Sequence, residues 1–180
     1  MTSNSVKYLE TLKKFKIGND ELIEMLGTEL HTCPASPNSN QNNCFDNGLV
    51  SHLLMIANYA VKLNGILPIA NQYPVETVLR VALLSEIGKV GMFILSNDSW
   101  KIKIGKLYDY TENRACLRVG QRSIYYLNQA GVKLTETEYS AIMHNDSSQD
   151  DQMVNNYNTC LGDILKAAIK LAIHEENTKK

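Results

Sequence analysis

The sequence predicts an all-α bundle interrupted by one small inserted β-hairpin, folded as a single domain over residues 1–180. Three observations carry this reading. Apolar residues recur at three-and-four spacing through most of the chain, capping residues and Gly or Pro punctuate those stretches, and only 92–110 carries short β-like runs.

Residues 5–15 read as a first short helix, with Val6, Leu9 and Leu12 as a sparse apolar stripe, and Gly18 breaks it. Asn19 or Asp20 caps a second helix that carries Leu22, Ile23, Met25, Leu26 and Leu30. These two form an N-terminal helical part, 1–31. The stretch 32–47 is dense in Pro, Ser and Asn and reads as a long polar loop. Loops of that length inside a compact domain are more often functional or disordered than plain connectors.

Residues 48–64 give the clearest helix. Leu49, Leu53, Ile56, Ala57, Ala60 and Leu63 share one side, Ser51, Asn58 and Lys62 lie opposite, and Gly65 is placed to end it. Pro74 opens a helix running to about Ile87 that is apolar almost all round, which predicts a central position. In 92–110 three β-like runs, 92–95, 100–104 and 106–110, are separated by Ser96-Asn97-Asp98-Ser99 and by Gly105, predicting a hairpin or a three-stranded meander. Residues 118–130 return to helix and stop at Gly131. Thr135 and Glu138 are spaced as a capping box and start a helix that reaches about His144. A polar, acidic loop over 145–158 leads to a last helix, 159–175, with Leu161, Ile164, Leu165, Ala168 and Leu171 turned inward.

Composition narrows the function classes. With 44% of residues apolar, a chain of 180 residues can bury a large core without staples. A net charge of −1 argues against non-specific binding to nucleic acid or to an anionic membrane. The apolar run 48–61 is too short, and too interrupted by Ser51, His52 and Asn58, to span a bilayer. The amino terminus lacks a signal-peptide layout, so a cytoplasmic protein is expected. Cys33, Cys44, Cys116 and Cys160 form no C-x-x-C pair, which argues against a zinc ribbon and for reduced thiols.

Few residues could carry chemistry. On a helix opening at Val75, Glu86 falls at the angle of Val75, Leu79 and Ala82, in the middle of the apolar stripe. An ionised carboxylate there is costly unless it is paired, hydrogen-bonded or bound to a metal. Glu86 either pairs with Lys89, one turn on, or faces a ligand. His52, at the edge of its own apolar stripe, is either a hydrogen-bonded core histidine or a ligand. His144 ends a helix, where a cation is favoured.

Taken together, Gly48-Leu49-Val50-Ser51-His52 and, after that helix ends, Leu83-Leu84-Ser85-Glu86-Ile87-Gly88-Lys89 resemble the HD-domain superfamily of metal-dependent phosphohydrolases. The likeness extends to the helical HD proteins of bacteriophages and prophages. Cys33-Pro34-Ala35-Ser36, the Trp100 hairpin and Gly120-Gln121-Arg122-Ser123-Ile124-Tyr125 have counterparts there, so the resemblance covers roughly 32–180. It implies an HD-like helical bundle, a metal ligand at His52, and two more where the family has a His-Asp doublet and this chain has Ser85 and Glu86. A further family histidine falls at Val119, another at His144 or Asn145, and the last aspartate at Asp163, or at Ile169 in an alternative alignment. Lys89 corresponds to a residue near substrate phosphate, and Ser85, Asn145 and Arg122 would line the pocket.

The departures set the expected function. Serine is a poor ligand for transition metals, and valine is none. A catalytic centre wants three or four good ligands and an open position for water. What the resemblance implies is therefore a degenerate HD protein without hydrolase activity and without a resident cofactor. It would keep a pocket for a nucleotide or for a host or phage protein, in the host cytoplasm if phage-encoded. The alternative is a phosphohydrolase acting on a nucleotide or cyclic nucleotide, with His52, Glu86, Asp163 and, as a fourth ligand, His144 holding one weakly bound divalent metal (Mn, Fe, Co, Zn or Mg). A third reading is an assembly component whose contact surface is the Trp100 hairpin with Tyr108, Tyr110 and Tyr126.

Overall fold

The computed structural model describes residues 2–112, 117–146 and 159–178. Nine α-helices and one two-stranded sheet occur among them. In order they are α1 (Ser3–Lys14), α2 (Asp20–Leu26), α3 (Glu29–Thr32), α4 (Gly48–Gly65), α5 (Val75–Leu84), β1 (Phe93–Leu95), α6 (Ser99–Lys103), β2 (Tyr108–Tyr110), α7 (Val119–Gln129), α8 (Glu136–Met143) and α9 (Cys160–Thr178). The mostly helical class and the small hairpin match the sequence reading. Most of the loop expected over 145–158, and Cys116, lie outside the described residues. Cys33, Cys44 and Cys160 are unbridged.

α4 is the axis of the core. It packs on α5 and α9, with α1 and α3 against it as well. Leu49, Leu53, Ile56 and Ala60 are fully buried, as their spacing predicts. α1 is fastened to this core by Tyr8, whose hydroxyl donates to the Leu83 carbonyl at 2.9 Å. The predicted caps are present: Asn19 accepts from the Leu22 N–H, and Thr135 and Glu138 form a reciprocal capping box.

Three local expectations need correction. The run 100–104 is helix, not strand, because the Asp98 carboxylate accepts from the backbone N–H groups of Trp100 and Lys101 and nucleates a turn. The sheet therefore has two strands, paired antiparallel with Phe93 opposite Tyr110 and Leu95 opposite Tyr108. The helix from Pro74 stops at Leu84, and Ile87–Lys89 forms a separate 3-10 turn. On α9 the buried stripe runs through Leu161, Leu165, Ala168, Ile169, Ala172 and Glu176, so Leu171 lies 41% exposed outside it.

α7 packs across the 3-10 turn, and Gly88 makes that approach possible. A Cβ at Gly88 would lie 2.3 Å from the Val119 carbonyl oxygen and 2.7 Å from the Ser123 nitrogen, both main-chain atoms that cannot step aside. Gly88→Ala is expected to lower unfolding free energy by about 1–3 kcal/mol, the usual range for overpacking a filled core, as read by urea denaturation.

Candidate functional site

Four ionisable side chains from three segments meet inside the bundle. His52 on α4 is fully buried, Glu86 follows α5, Lys89 ends the 3-10 turn, and Glu176 lies in the last turns of α9. His52 Nδ1 is 2.8 Å from Glu176 Oε2. Its Nε2 is 3.3 Å from Glu86 Oε2, an ion-pair distance without the alignment of a hydrogen bond. Lys89 Nζ donates to the same Glu86 oxygen at 2.6 Å. The result is an alternating row, ammonium, carboxylate, imidazole, carboxylate.

The long loop completes the row. Asn43 Nδ2 donates to Glu176 Oε1 at 2.8 Å, and Asn42 Nδ2 stands 3.5 Å from His52 Nδ1. The loop is closed on itself, the Ala35 N–H donating to the Asn43 carbonyl at 3.0 Å and the Ser36 hydroxyl to the Asn42 carbonyl at 2.5 Å, and its start is tied to α4 by the Leu49 N–H, which donates to the Cys33 carbonyl at 3.0 Å. Gly48 permits this closeness, since a Cβ there would lie 2.0 Å from the Asn43 carbonyl oxygen.

The electrostatics follow from this geometry. Burial, the largest influence on Glu86, pushes its carboxyl up, but the Lys89 charge and the neighbouring His52 outweigh it and hold the group well below the usual carboxylate range. For His52 burial acts downward, yet the Glu176 and Glu86 carboxylates more than reverse it, so its proton is held more tightly than in a free imidazole. With His52 protonated, two positive and two negative charges balance.

Of the two sequence readings of Glu86, the pairing with Lys89 is the one present: the carboxylate points inward, pairs with that ammonium and also faces His52. Other candidates lie elsewhere. Asp163 is exposed on α9 and does not join the group, a correction with a simple cause. Glu176 is thirteen residues on, about 220° around the helix axis, so both cannot face inward. Ile169 is buried but carries no donor. His144 is the C-cap residue of α8, its backbone N–H donating to the Ser140 carbonyl, and it is not among the contacts of His52.

Ser85, Asn145 and Arg122 brace the turn. The Ser85 hydroxyl turns back to the Ala82 carbonyl at 3.0 Å, while the Ser85 carbonyl accepts from Asn145 Nδ2 at 2.9 Å and is 2.8 Å from the Ser123 hydroxyl. Arg122 Nη2 donates to the Tyr126 hydroxyl at 2.6 Å, which in turn donates to the Val90 carbonyl.

Sequence reasoning missed Glu176, Asn42 and Asn43. A signal for Glu176 existed: it continues the Leu165–Ala168–Ile169–Ala172 stripe at helical spacing, one turn past where the periodic apolar residues end.

The residues present do not fit the metal centre that the resemblance implies. Both ring nitrogens of His52 are turned to carboxylates, and an imidazole that holds its proton has no lone pair to give. Ser85 is turned away, Val119 offers no donor, and Asp163 is outside. Among the described residues no three His, Cys, Asp or Glu side chains are arranged to hold a metal ion. Lys89 instead places an ammonium beside Glu86. Its side chain, 15% exposed, borders a cavity of about 410 Å3 lined also by Asn42, Tyr110, Val119, Ile173 and Asn177.

No helix among the described residues is long and apolar enough to cross a membrane. No protein-family model, curated protein or solved structure matches the chain.

Proposed function

We propose that this protein is a degenerate HD-type domain that binds an anionic ligand, of the nucleotide class, beside Lys89 and does not hydrolyse it. One observation carries the reading: His52, at the position of the family's first metal ligand, has a carboxylate oxygen within ion-pair distance of each ring nitrogen. The charge a metal would supply comes from Lys89 and from the proton on His52. Lys89 has donors beyond the one given to Glu86, and it faces a cavity with amide and apolar walls that suit a base and its phosphate. The expected setting is a cytoplasm, without insertion into membranes and without a nucleic-acid footprint. A host or phage protein is the other class of occupant for the same cavity.

Two measurements test this. Metal analysis of the purified chain should give far less than one equivalent of manganese, iron, cobalt or zinc; a near-stoichiometric metal lost on Glu86→Gln would establish the phosphohydrolase alternative instead. A panel of nucleoside mono-, tri- and cyclic phosphates should contain a ligand that raises Tm by roughly 5–10 °C at a hundredfold excess over its Kd. Lys89→Met should abolish that shift. No shift across the panel would leave the cavity without a nucleotide role.

A further inference from the structure

Among the described residues no strand pairs with the outer edge of β1. Ser96 N–H donates to the Leu107 carbonyl at 2.9 Å and Thr111 N–H to the Met92 carbonyl at 3.0 Å, so Met92 and Ser96 bond to the β2 side and Ile94, midway between them and opposite Asp109, faces it too. In an antiparallel pair alternate residues aim their N–H and C=O groups to opposite sides. Phe93 and Leu95 therefore present theirs away from β2, where no hydrogen bond among the described residues meets them. The far side of β2 is covered: Leu107 and Tyr108 N–H groups reach the Pro37 carbonyl at 3.1 Å, and Ser39 N–H reaches Gly105.

A cleft of about 430 Å3 is lined by β1 on one side and by Glu29, Thr32 and Cys33 on another. Ile94 and Leu95, which border it, are 50% and 68% exposed. Glu29 and Asp46 are in its lining, and among the described residues no Lys, Arg or His is. Among the described residues neither acid forms an ion pair there; Asp46 accepts from the Tyr108 hydroxyl at 3.2 Å. Arg122 approaches Glu29 behind Gly91, but it is engaged with Tyr126.

We propose that this cleft takes an extended, cationic peptide segment of a partner protein, added to β1 as a third strand. The unmet groups of Phe93 and Leu95 supply the main-chain bonds, the exposed Ile94 and Leu95 supply apolar contact, and Glu29 and Asp46 select lysine or arginine. A second copy of the chain is the less fitting occupant, because its β1 arrives with β2 attached and the cleft is walled by α3. The acids disfavour nucleic acid. This site is separate from the Lys89 cavity, so its test is independent of the function proposed above.

The experiment uses the full chain and an acetylated, amidated heptapeptide of alternating valine and lysine, with hydrogen exchange followed residue by residue. The peptide should slow exchange of the Phe93 and Leu95 amides by about tenfold or more. It should also bind about tenfold more tightly than the valine–glutamate version, a gap that narrows in Glu29→Gln with Asp46→Asn. A valine–lysine peptide N-methylated on its pairing edge should lose the protection. No slowing at Phe93 and Leu95, or equal slowing by the glutamate peptide, overturns the proposal. So does protection that grows with protein concentration alone, which would mark a second copy as the occupant.

Discussion

Replacing Glu176 with alanine should cost about 3–5 kcal/mol of unfolding free energy, the usual result of removing one partner from a buried ion pair. Glu176 is 6% exposed and holds both His52 and Asn43, so its loss leaves the buried His52 Nδ1–H and the half-buried Asn43 amide without their carboxylate. Against a total of roughly 5–15 kcal/mol for a typical domain, that is a large share. Asp163→Asn is the matched control. Asp163 is the acid that the family pattern singles out on the same helix, but it is exposed, and its replacement should change stability by about 0.5 kcal/mol or less. Urea denaturation of the two variants decides the matter: equal effects would show that Glu176 does not hold the buried row together.

Stability should pass through a maximum in mildly acidic solution and fall on both sides. His52 holds its proton more tightly in the folded chain than the ordinary value of 6.5, so its contribution is complete below that value and is lost as pH rises through its folded pKa. Glu86 is shifted the other way from 4.5, so its contribution is complete above 4.5 and is lost as pH falls toward its depressed value. The window lies between about 4.5 and 6.5, where the row Lys89, Glu86, His52, Glu176 is neutral overall. On the alkaline side a neutral imidazole leaves two carboxylates against one ammonium. Urea midpoints measured from about pH 2 to about pH 9 should trace this dome, and His52→Gln should remove its alkaline limb. An unchanged alkaline limb in that variant would show that His52 is not the group responsible.

Much of the fold was legible because helices write their period and their caps into local sequence. The buried faces of α4 and α5, the Asn19 cap and the Thr135–Glu138 box all follow from neighbours a turn or less apart. The failure at 100–104 was also local: alternating Trp, Lys and Ile read as strand, yet one aspartate placed before them supplied the N–H acceptor that a helical turn needs. The loop over 32–47 showed by its length that it mattered, but not what it held.

The candidate site was half legible for the same reason. The apolar period of α4 told that His52 faces inward, since it fixes which side of a helix leaves water, whereas Glu86 lies past the end of α5 and is buried by the turn that follows it. The chain alone could not determine what each would meet. His52 and Glu176 are 124 positions apart, and Asn43 and Glu176 are 133, separations bridged only when α9 lies along α4. Periodicity is a property of one helix, whereas a charge partner is a property of how two helices pack, and that packing alone turned a motif short of metal donors into a closed, self-neutralised row.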